Sequence, residues 1–263
     1  METWEALILG IVQGLTEFLP VSSSGHLLLS KEILGIENTG GTAFEVLVHA
    51  ATVLSTLTVF RSDIVKLVSG LFKFKYNRET DYILKIAVSM IPVMIVGLFF
   101  KEEVETLFGE GTVLVGAMLL LTAALLTFSH FAKKGDKPIS YGNAFVIGLA
   151  QACAVLPGLS RSGSTISAGL LLGNKRSEIA RFSFLMVLVP ILGEAFLDLT
   201  GGAFAPATSG IAVLPSTVGF VGAYVSGLFA CKLMIKLVSQ VKLYRFAIYC
   251  AAVGIIAIVY SFI

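Results

Sequence analysis

Two charged residues interrupt apolar stretches of this 263-residue chain, Glu17 in the first half and Arg161 in the second. Gln13 precedes Glu17 by four positions, which places the amide and the carboxylate on one face of a helix. A charged side chain inside a bilayer costs about 2.5–3.5 kcal/mol on insertion scales, so charged residues there usually mark a functional site. A Glu–Arg pair that only holds two segments together is the structural alternative.

Hydroxyl groups and glycines crowd around both charged positions. Helix capping explains one Ser or Thr at such a place, because its hydroxyl accepts from the free amides of a first turn. Seven hydroxyls lie in two short polar segments, residues 20–26 (the first break) and residues 157–165 (the second break, which contains Arg161). Capping alone does not explain so many hydroxyls beside an arginine. Two helix N-termini, glycines that allow close backbone approach and a guanidinium fork indicate a site for phosphate or diphosphate. Its predicted members are Gln13, Ser22, Ser23, Ser24, Gly25, Ser160, Ser162, Gly163, Ser164 and Thr165, with Arg161.

The first break also offers a nucleophile and a proton acceptor. His26 follows Ser23 by three positions, so the imidazole and the hydroxyl can face the same way and form a nucleophile–base pair. Glu17 is the other candidate proton acceptor, and His26 as the nucleophile is an open alternative. His49 and His130 are interpreted as packing or hydrogen-bonding groups.

The composition places these residues in a membrane. Of the chain, 56% is hydrophobic and 14% charged, with a mean hydropathy of +0.90, whereas a soluble domain carries roughly 25% charged residues. A net charge of +2 without a basic tail excludes nucleic acid as a partner. We predict an all-α integral membrane protein that forms a single membrane domain over residues 1–263.

Six apolar stretches approach the roughly 20 residues that a helix needs to cross a bilayer. They are 42–60, 82–100, 112–131, 179–199, 213–235 and 246–263. Two further apolar stretches begin at residues 4 and 141 and are broken by polar segments after residues 19 and 156. Each half is too short to span, so both stretches are predicted to form re-entrant helical hairpins that line a cavity.

The two broken stretches are copies of one another. A shift of 138 residues superposes seven identical pairs without a gap. The pairs are Gly10 with Gly148, Gln13 with Gln151, Ser22 with Ser160, Ser24 with Ser162, Gly25 with Gly163, Leu34 with Leu172 and Gly35 with Gly173. Each repeat, about 1–131 and 139–263, holds one hairpin and three spans, and an odd number of crossings predicts inverted topology. Glu17 and Arg161 have no charged counterpart in the other repeat.

The positive charges predict an orientation. Sixteen Lys or Arg residues lie in the segments 61–85, 133–137, 175–181 and 232–245, against two in the segments 31–41, 101–111 and 200–212. By the positive-inside rule, both termini then lie outside the cytoplasm. The first hairpin enters from outside and the second from inside, so the two breaks can meet, and the site opens to the extracytoplasmic side.

The motifs themselves resemble those of a known family. The stretch from Gln13 to His26 (QGLTEFLPVSSSGH) and the stretch from Pro157 to Thr165 (PGLSRSGST) resemble the bacterial undecaprenyl-diphosphatase family linked to bacitracin resistance. The shared patterns are (Glu/Gln)-x-x-x-Glu followed by Pro-x-Ser-Ser-x-Gly-His, and Pro-Gly-x-Ser-Arg-Ser. The resemblance covers essentially the whole chain, and the family's six spans and two re-entrant hairpins agree with the prediction above.

The resemblance implies an activity and a cofactor. That family removes the terminal phosphate of undecaprenyl diphosphate and regenerates the lipid carrier for cell-wall synthesis, in the bacterial inner membrane. It uses a divalent cation, Mg²⁺ or Ca²⁺, near the acidic motif, here Glu17 and Gln13. Ser23 is the candidate nucleophile, and a metal-activated water is a second chemical route.

A different class of function stays open alongside the phosphatase. A lipid-phosphate flippase or secondary transporter is the alternative, because inverted repeats with broken helices are typical of transporters. The expected partners are the prenyl diphosphate lipid and the bilayer, with a homodimer compatible with the sequence.

Overall fold

The computed structural model describes residues 1–36, 41–107, 111–132, 135–193, 212–240 and 243–262. Within these ranges the fold is helical, with no β-strand beyond two isolated bridges. The helices are α1 (Thr3–Phe18), α2 (Ser23–Leu34), α3 (Gly41–Val59), α4 (Arg61–Leu71), α5 (Arg78–Phe99), α6 (Lys101–Leu107), α7 (Gly111–Phe131), α8 (Tyr141–Cys153), α9 (Arg161–Leu171), α10 (Arg176–Met186), α11 (Val213–Gln240) and α12 (Tyr244–Tyr260).

Three predicted spans are present as single helices, α5, α7 and α11, which are long and apolar enough to cross a bilayer. The stretch at 42–60 leads into a bend, because α3 and α4 meet at Phe60 at an angle of 75°; together they make a fourth candidate. The apolar helix α12 has 17 residues. The predicted span at 179–199 begins within α10, and its residues 194–199 lie outside the described part of the chain. The chain is a multi-pass membrane protein.

The two broken stretches fold as paired helices, α1 with α2 and α8 with α9. The second helix of each pair begins behind a capping serine. Ser22 Oγ accepts from the amide of Gly25 at 3.3 Å, and Ser160 Oγ accepts from the amide of Gly163 at 3.1 Å. In each break the serine two positions after the cap, Ser24 or Ser162, lies with its Oγ 3.4 Å from the capping hydroxyl. The 138-residue register is therefore repeated in the hydrogen bonds of the breaks.

Each pair of broken helices packs on a long helix of the other half of the chain. The helix α1 lies against α11, and α8 lies against α5. At both crossings a glycine allows the backbones to touch. A Cβ on Gly10 would lie 2.2 Å from the carbonyl oxygen of Gly219, and a Cβ on Gly148 would lie 2.2 Å from that of Ser89. The two halves thus support each other's broken helices reciprocally.

The outside of the bundle is apolar, and polar groups lie inside. Leu98, Phe99 and Phe128 are each at least 66% exposed, as expected for side chains in contact with lipid tails. Gln13 and Gln151 correspond in the repeat, and both are buried. Each of these glutamines leaves its Oε1 without a hydrogen-bond partner among the described residues.

Candidate active site

Glu17 lies at the centre of a buried polar cluster near the end of α1, where its side chain is 8% exposed. Its Oε2 accepts from Gln13 Nε2 at 2.9 Å and from Ser23 Oγ at 2.7 Å. The four-residue spacing on one helix explains the first contact, as predicted. The second contact depends on the break, because α1 ends at Phe18 and the chain turns back before α2 begins.

Two basic side chains from other helices face the same carboxylate. Arg161, the first residue of α9, places Nη2 3.4 Å from Glu17 Oε1. His49 of α3 places Nε2 3.8 Å from Glu17 Oε2. The breaks also touch directly, since Ser162 Oγ donates to the carbonyl of Leu19 at 3.1 Å. The predicted meeting of the two breaks is confirmed, and the carboxylate has the partners that a buried charge requires.

A small cavity lies beside this cluster and is lined by both polar and apolar side chains. Its polar lining consists of Glu17, Thr52, Thr56, Arg161, Ser162 and Ser183. Its apolar lining consists of Phe18, Val53, Phe184, Val187 and Ile191. The lining of this cavity thus offers contacts both to a charged group and to apolar groups.

Both ring nitrogens of His26 contact groups other than the Ser23 hydroxyl. Its Nδ1 lies 2.8 Å from the carbonyl oxygen of Ser22, and its Nε2 lies 2.8 Å from the hydroxyl oxygen of Tyr249. A carbonyl can only accept, so the contacts assign the proton to Nδ1 and make Nε2 the acceptor of the Tyr249 hydroxyl. The structure therefore pairs Ser23 with Glu17 and not with His26.

Ser22, Ser24 and Ser160, together with Gly25 and Gly163, shape the two breaks. Ser22 and Ser160 bind backbone amides, and Ser24 Oγ lies beside Ser22. Gly25 and Gly163 have little space for a side chain, because a Cβ on either would lie within 3.1 Å of a neighbouring carbon atom. Among the three serines of the first break, Ser23 is the one whose Oγ contacts the carboxylate.

The hydroxyls of the second break divide between the cavity and the protein interior. Ser162 lines the cavity. Thr165 Oγ1 lies 2.6 Å from Ser183 Oγ and 2.9 Å from the carbonyl oxygen of Arg161. The Oγ of Ser164 is buried and has no hydrogen-bond partner within the described ranges. Ser162 is therefore the member of this group that is placed to contact a ligand directly.

Comparison with known proteins identifies the family. Residues 6–256 match the family described as Bacitracin resistance protein BacA. The chain belongs to the BacA family. A protein of Bacteroides fragilis named undecaprenyl-diphosphatase is 58% identical over 99% of both chains. Proteins of the same name from Parabacteroides distasonis and Christiangramia forsetii are 57% and 51% identical over at least 98% of each chain.

The resemblance implies a divalent cation, and the oxygen atoms around Glu17 of this BacA-family chain show whether the site could hold one. The described residues contain no group of three or more His, Cys, Asp or Glu that could hold a metal ion. Glu17 does have a second oxygen donor nearby in Gln13, whose buried Oε1 is unpartnered in the described chain. Mg²⁺ is commonly bound by one or two protein carboxylates together with substrate phosphates. Glu17 and Gln13 therefore fit a cation that would take its remaining ligands from the phosphate oxygens of the substrate.

Several residues at or beside the BacA-family site were not among the predicted site residues, namely His49, Thr52, Thr56, Ser183 and Tyr249. His49 is interpreted from the sequence as a packing or interhelical hydrogen-bonding group, and the structure gives it an interhelical polar contact, with its Nε2 3.8 Å from Glu17 Oε2. One signal is present in the sequence: His49, Thr52 and Thr56 share one face of α3 and form a polar stripe there. Tyr249 gave no signal, since a tyrosine in an apolar helix is ordinary. His130 packs between aromatic rings, as interpreted.

Proposed function

We propose that this chain hydrolyses undecaprenyl diphosphate to undecaprenyl phosphate and inorganic phosphate. This activity recycles the lipid carrier for cell-wall synthesis and confers bacitracin resistance. The observation that carries the proposal for the site is the position of Ser23, whose hydroxyl donates to Glu17 at 2.7 Å while Arg161 faces the other carboxylate oxygen. The relatives named undecaprenyl-diphosphatase support the substrate.

The geometry favours covalent catalysis through Ser23. Its Oγ attacks the terminal phosphorus, Glu17 accepts the hydroxyl proton, and the bond from that phosphorus to the bridging oxygen breaks. Glu17 passes the proton to the departing undecaprenyl phosphate. A water molecule then attacks the phosphoserine and gives a proton to Glu17, which returns it to Ser23 Oγ as inorganic phosphate leaves.

Arg161 and the two helix N-termini stabilise the charge of the transferred group. Phosphoryl transfer spreads negative charge over the equatorial oxygens, so fixed donors there lower the barrier. The guanidinium of Arg161 is 28% exposed beside the cavity and can bind phosphate. Ser23 and Arg161 are the first residues of α2 and α9, whose free amides face the breaks. A divalent cation held by Glu17 and Gln13, Mg²⁺ or Ca²⁺, supplies further neutralisation of the phosphates when bound.

The membrane arrangement is part of the proposal. Six spans and two re-entrant hairpins in an inverted repeat are supported by the reciprocal packing of α1 on α11 and α8 on α5. The distribution of Lys and Arg supports a site that opens to the extracytoplasmic side of the bacterial inner membrane. A homodimer stays a prediction.

The activity is tested with purified protein in detergent, supplied with undecaprenyl diphosphate and Mg²⁺ or Ca²⁺. Release of inorganic phosphate is expected from the wild-type protein, and chelation of the cation is expected to reduce it. A matched preparation of Glu17→Gln, which keeps the shape but not the charge of the side chain, should release little inorganic phosphate. Absence of phosphate release by well-folded wild-type protein, with lipid crossing vesicle membranes instead, would favour transport.

A further inference from the structure

We propose that Tyr249 is a positioning residue of the active site, because it fixes His26 against the backbone of Ser22, next to the nucleophile. The inference rests on the proposed phosphatase function and deepens it. It assigns His26 a role in holding the backbone, and it adds a residue of α12 to a site built from residues of α1, α2, α3, α9 and α10.

The contact of Tyr249 with His26 is specific in both distance and orientation. The tyrosine hydroxyl donates to His26 Nε2 at 2.8 Å. The two rings are stacked, with centroids 5.5 Å apart and planes inclined by 10°. On its other side the imidazole donates from Nδ1 to the carbonyl oxygen of Ser22 at 2.8 Å. A chain of two hydrogen bonds thus runs from α12 to the backbone of the first break.

Ser22 has a backbone conformation that needs such support. Its φ is 70°, in the left-handed region that a residue with a side chain rarely adopts. Residues in such conformations persist where their surroundings hold them. His26 supplies two donors to the Ser22 carbonyl, the ring Nδ1 at 2.8 Å and the backbone amide at 3.2 Å. Because Ser23 is the next residue, the conformation of Ser22 determines where the Ser23 hydroxyl lies.

The second break is an internal control for this argument. Ser160 caps α9 just as Ser22 caps α2, yet its φ is −69°. The position that corresponds to His26 holds Ser164, whose amide donates to the Ser160 carbonyl at 2.8 Å. A serine cap therefore requires neither the left-handed backbone nor the histidine. Both features belong to the break that carries Ser23.

A second contact from α12 reaches the same break. Cys250, the residue after Tyr249, places Sγ 3.5 Å from the carbonyl oxygen of Pro20. Two successive residues of α12 thus contact the first broken pair, Tyr249 at His26 in the first turns of α2 and Cys250 at Pro20 in the connection between α1 and α2. The helix holds this connection in place while Ser23 Oγ donates to Glu17.

The first test removes only the tyrosine hydroxyl. In Tyr249→Phe the stacked ring is kept, and we expect kcat to fall by about tenfold, within the range of losses caused by a small misplacement of a catalytic group. KM for undecaprenyl diphosphate should change by less than about twofold, because no substrate contact is removed. Tyr260→Phe is the matched control, on the same helix and with similar exposure, and should keep wild-type kcat. An unchanged kcat in folded Tyr249→Phe would overturn the proposal.

The second test separates positioning from proton transfer at His26. The amide of asparagine can donate as Nδ1 does but has no counterpart of Nε2. We expect His26→Asn to keep substantially more activity than His26→Ala, and Tyr249→Phe to cause no further loss in the His26→Asn background. A folded His26→Asn that is as inactive as His26→Ala would identify His26 as a base or nucleophile and overturn its positioning role.

A spectroscopic readout makes the inference independent of turnover. The chain has three histidines, so ¹⁵N-histidine spectra are simple, and the His26 signals are those lost in His26→Asn. The proposed contacts require a proton on Nδ1 and a shift of the Nε2 signal in Tyr249→Phe but not in Tyr260→Phe. A proton on Nε2 would overturn the proposal. Wild-type protein that shows the expected spectrum but releases no phosphate would contradict the phosphatase function and leave the Tyr249–His26–Ser22 contact established.

Discussion

Arg161 of the second break faces Glu17 of the first, with 3.4 Å between Nη2 and Oε1. This separation is longer than the roughly 2.7–2.9 Å of a tight charge-assisted hydrogen bond. The guanidinium borders the cavity and is partly exposed, whereas the carboxylate is almost fully buried. Arg161 therefore has donors left for an anion, and Glu17 balances its charge before the anion binds. The pair joins the two halves of the chain at the point where the chemistry is proposed.

Ser23→Ala should lose far more activity than Ser22→Ala or Ser24→Ala. Only the Ser23 hydroxyl donates to Glu17, whereas Ser22 caps α2. The expected loss for a nucleophile is roughly 10²-fold or more in kcat, against a modest loss for a cap worth about 1 kcal/mol of stability. The measurement is phosphate release by purified variants of matched thermal stability. Equal and mild losses at all three serines would exclude Ser23 as the nucleophile.

His49→Asn should reduce activity moderately without unfolding the protein. Asparagine can keep the contact that His49 Nδ1 makes with the carbonyl oxygen of Glu45 at 2.8 Å, but it removes the Nε2 that faces Glu17. Loss of one polar contact of about 1 kcal/mol predicts a roughly fivefold decrease in kcat/KM. His130→Asn is the control, since His130 packs on Tyr244 away from Glu17. If both variants behaved alike, His49 would have no part in the site.

Gly10→Ala and Gly148→Ala should both destabilise the fold. At either position the added methyl would lie 2.2 Å from a backbone oxygen of the facing helix, so the helices must separate. Overpacking of this kind costs about 1–3 kcal/mol and should lower Tm in detergent. Gly97→Ala is the matched control within α5, because a Cβ there has open space. A Tm unchanged in Gly10→Ala would contradict the close crossing of α1 and α11.

Accessibility labelling tests the orientation. Ile33→Cys near the end of α2 and Phe74→Cys after α4 are both at exposed positions. In a background in which the exposed Cys153 is replaced by alanine, the first cysteine should react with an impermeant reagent on intact cells. The second should react only after the membrane is opened, since it lies among the basic segments. Reaction of both from the same face is the result that rules out the inverted arrangement.

The sequence predicted the parts of the site that depend on local spacing. The capping serines, the one-turn spacing of Gln13 and Glu17, and the correspondence of the two breaks follow from helical periodicity and from the repeat. The approach of Arg161 to Glu17 agrees with the predicted meeting of the two breaks, and the sequence analysis named a Glu–Arg pair only as the structural alternative to a functional site.

The parts that sequence reasoning missed depend on long-range packing or on one backbone angle. The left-handed φ of Ser22 is not encoded by its residue type, yet it turns Ser23 toward Glu17 and His26 toward the Ser22 carbonyl. The approach of Tyr249 to His26 requires knowing where α12 packs. The bend at Phe60 lies at the end of a continuous apolar stretch, where composition predicts a plain span.

Arg161→Lys should be nearly as damaging as Arg161→Ala, although it keeps a positive charge. A guanidinium can bind two phosphate oxygens at once, whereas an ammonium acts as a point charge. The shorter reach of lysine also weakens the contact with Glu17, so the carboxylate is left less well balanced. The loss should appear mainly in kcat/KM, by roughly 10²-fold or more, because the contact is strongest as charge develops on the transferred group.

A purely structural Arg161–Glu17 pair makes a different prediction for the same two variants. The lysine variant would keep most of the activity, because an ammonium can still neutralise the carboxylate, and the alanine variant would fail by misfolding. Folded yield and Tm measured beside kcat/KM separate these cases. If Arg161 instead binds the phosphate, both variants should fold and both should be nearly inactive. A well-folded Arg161→Lys with almost full activity would show that the guanidinium does not bind the diphosphate.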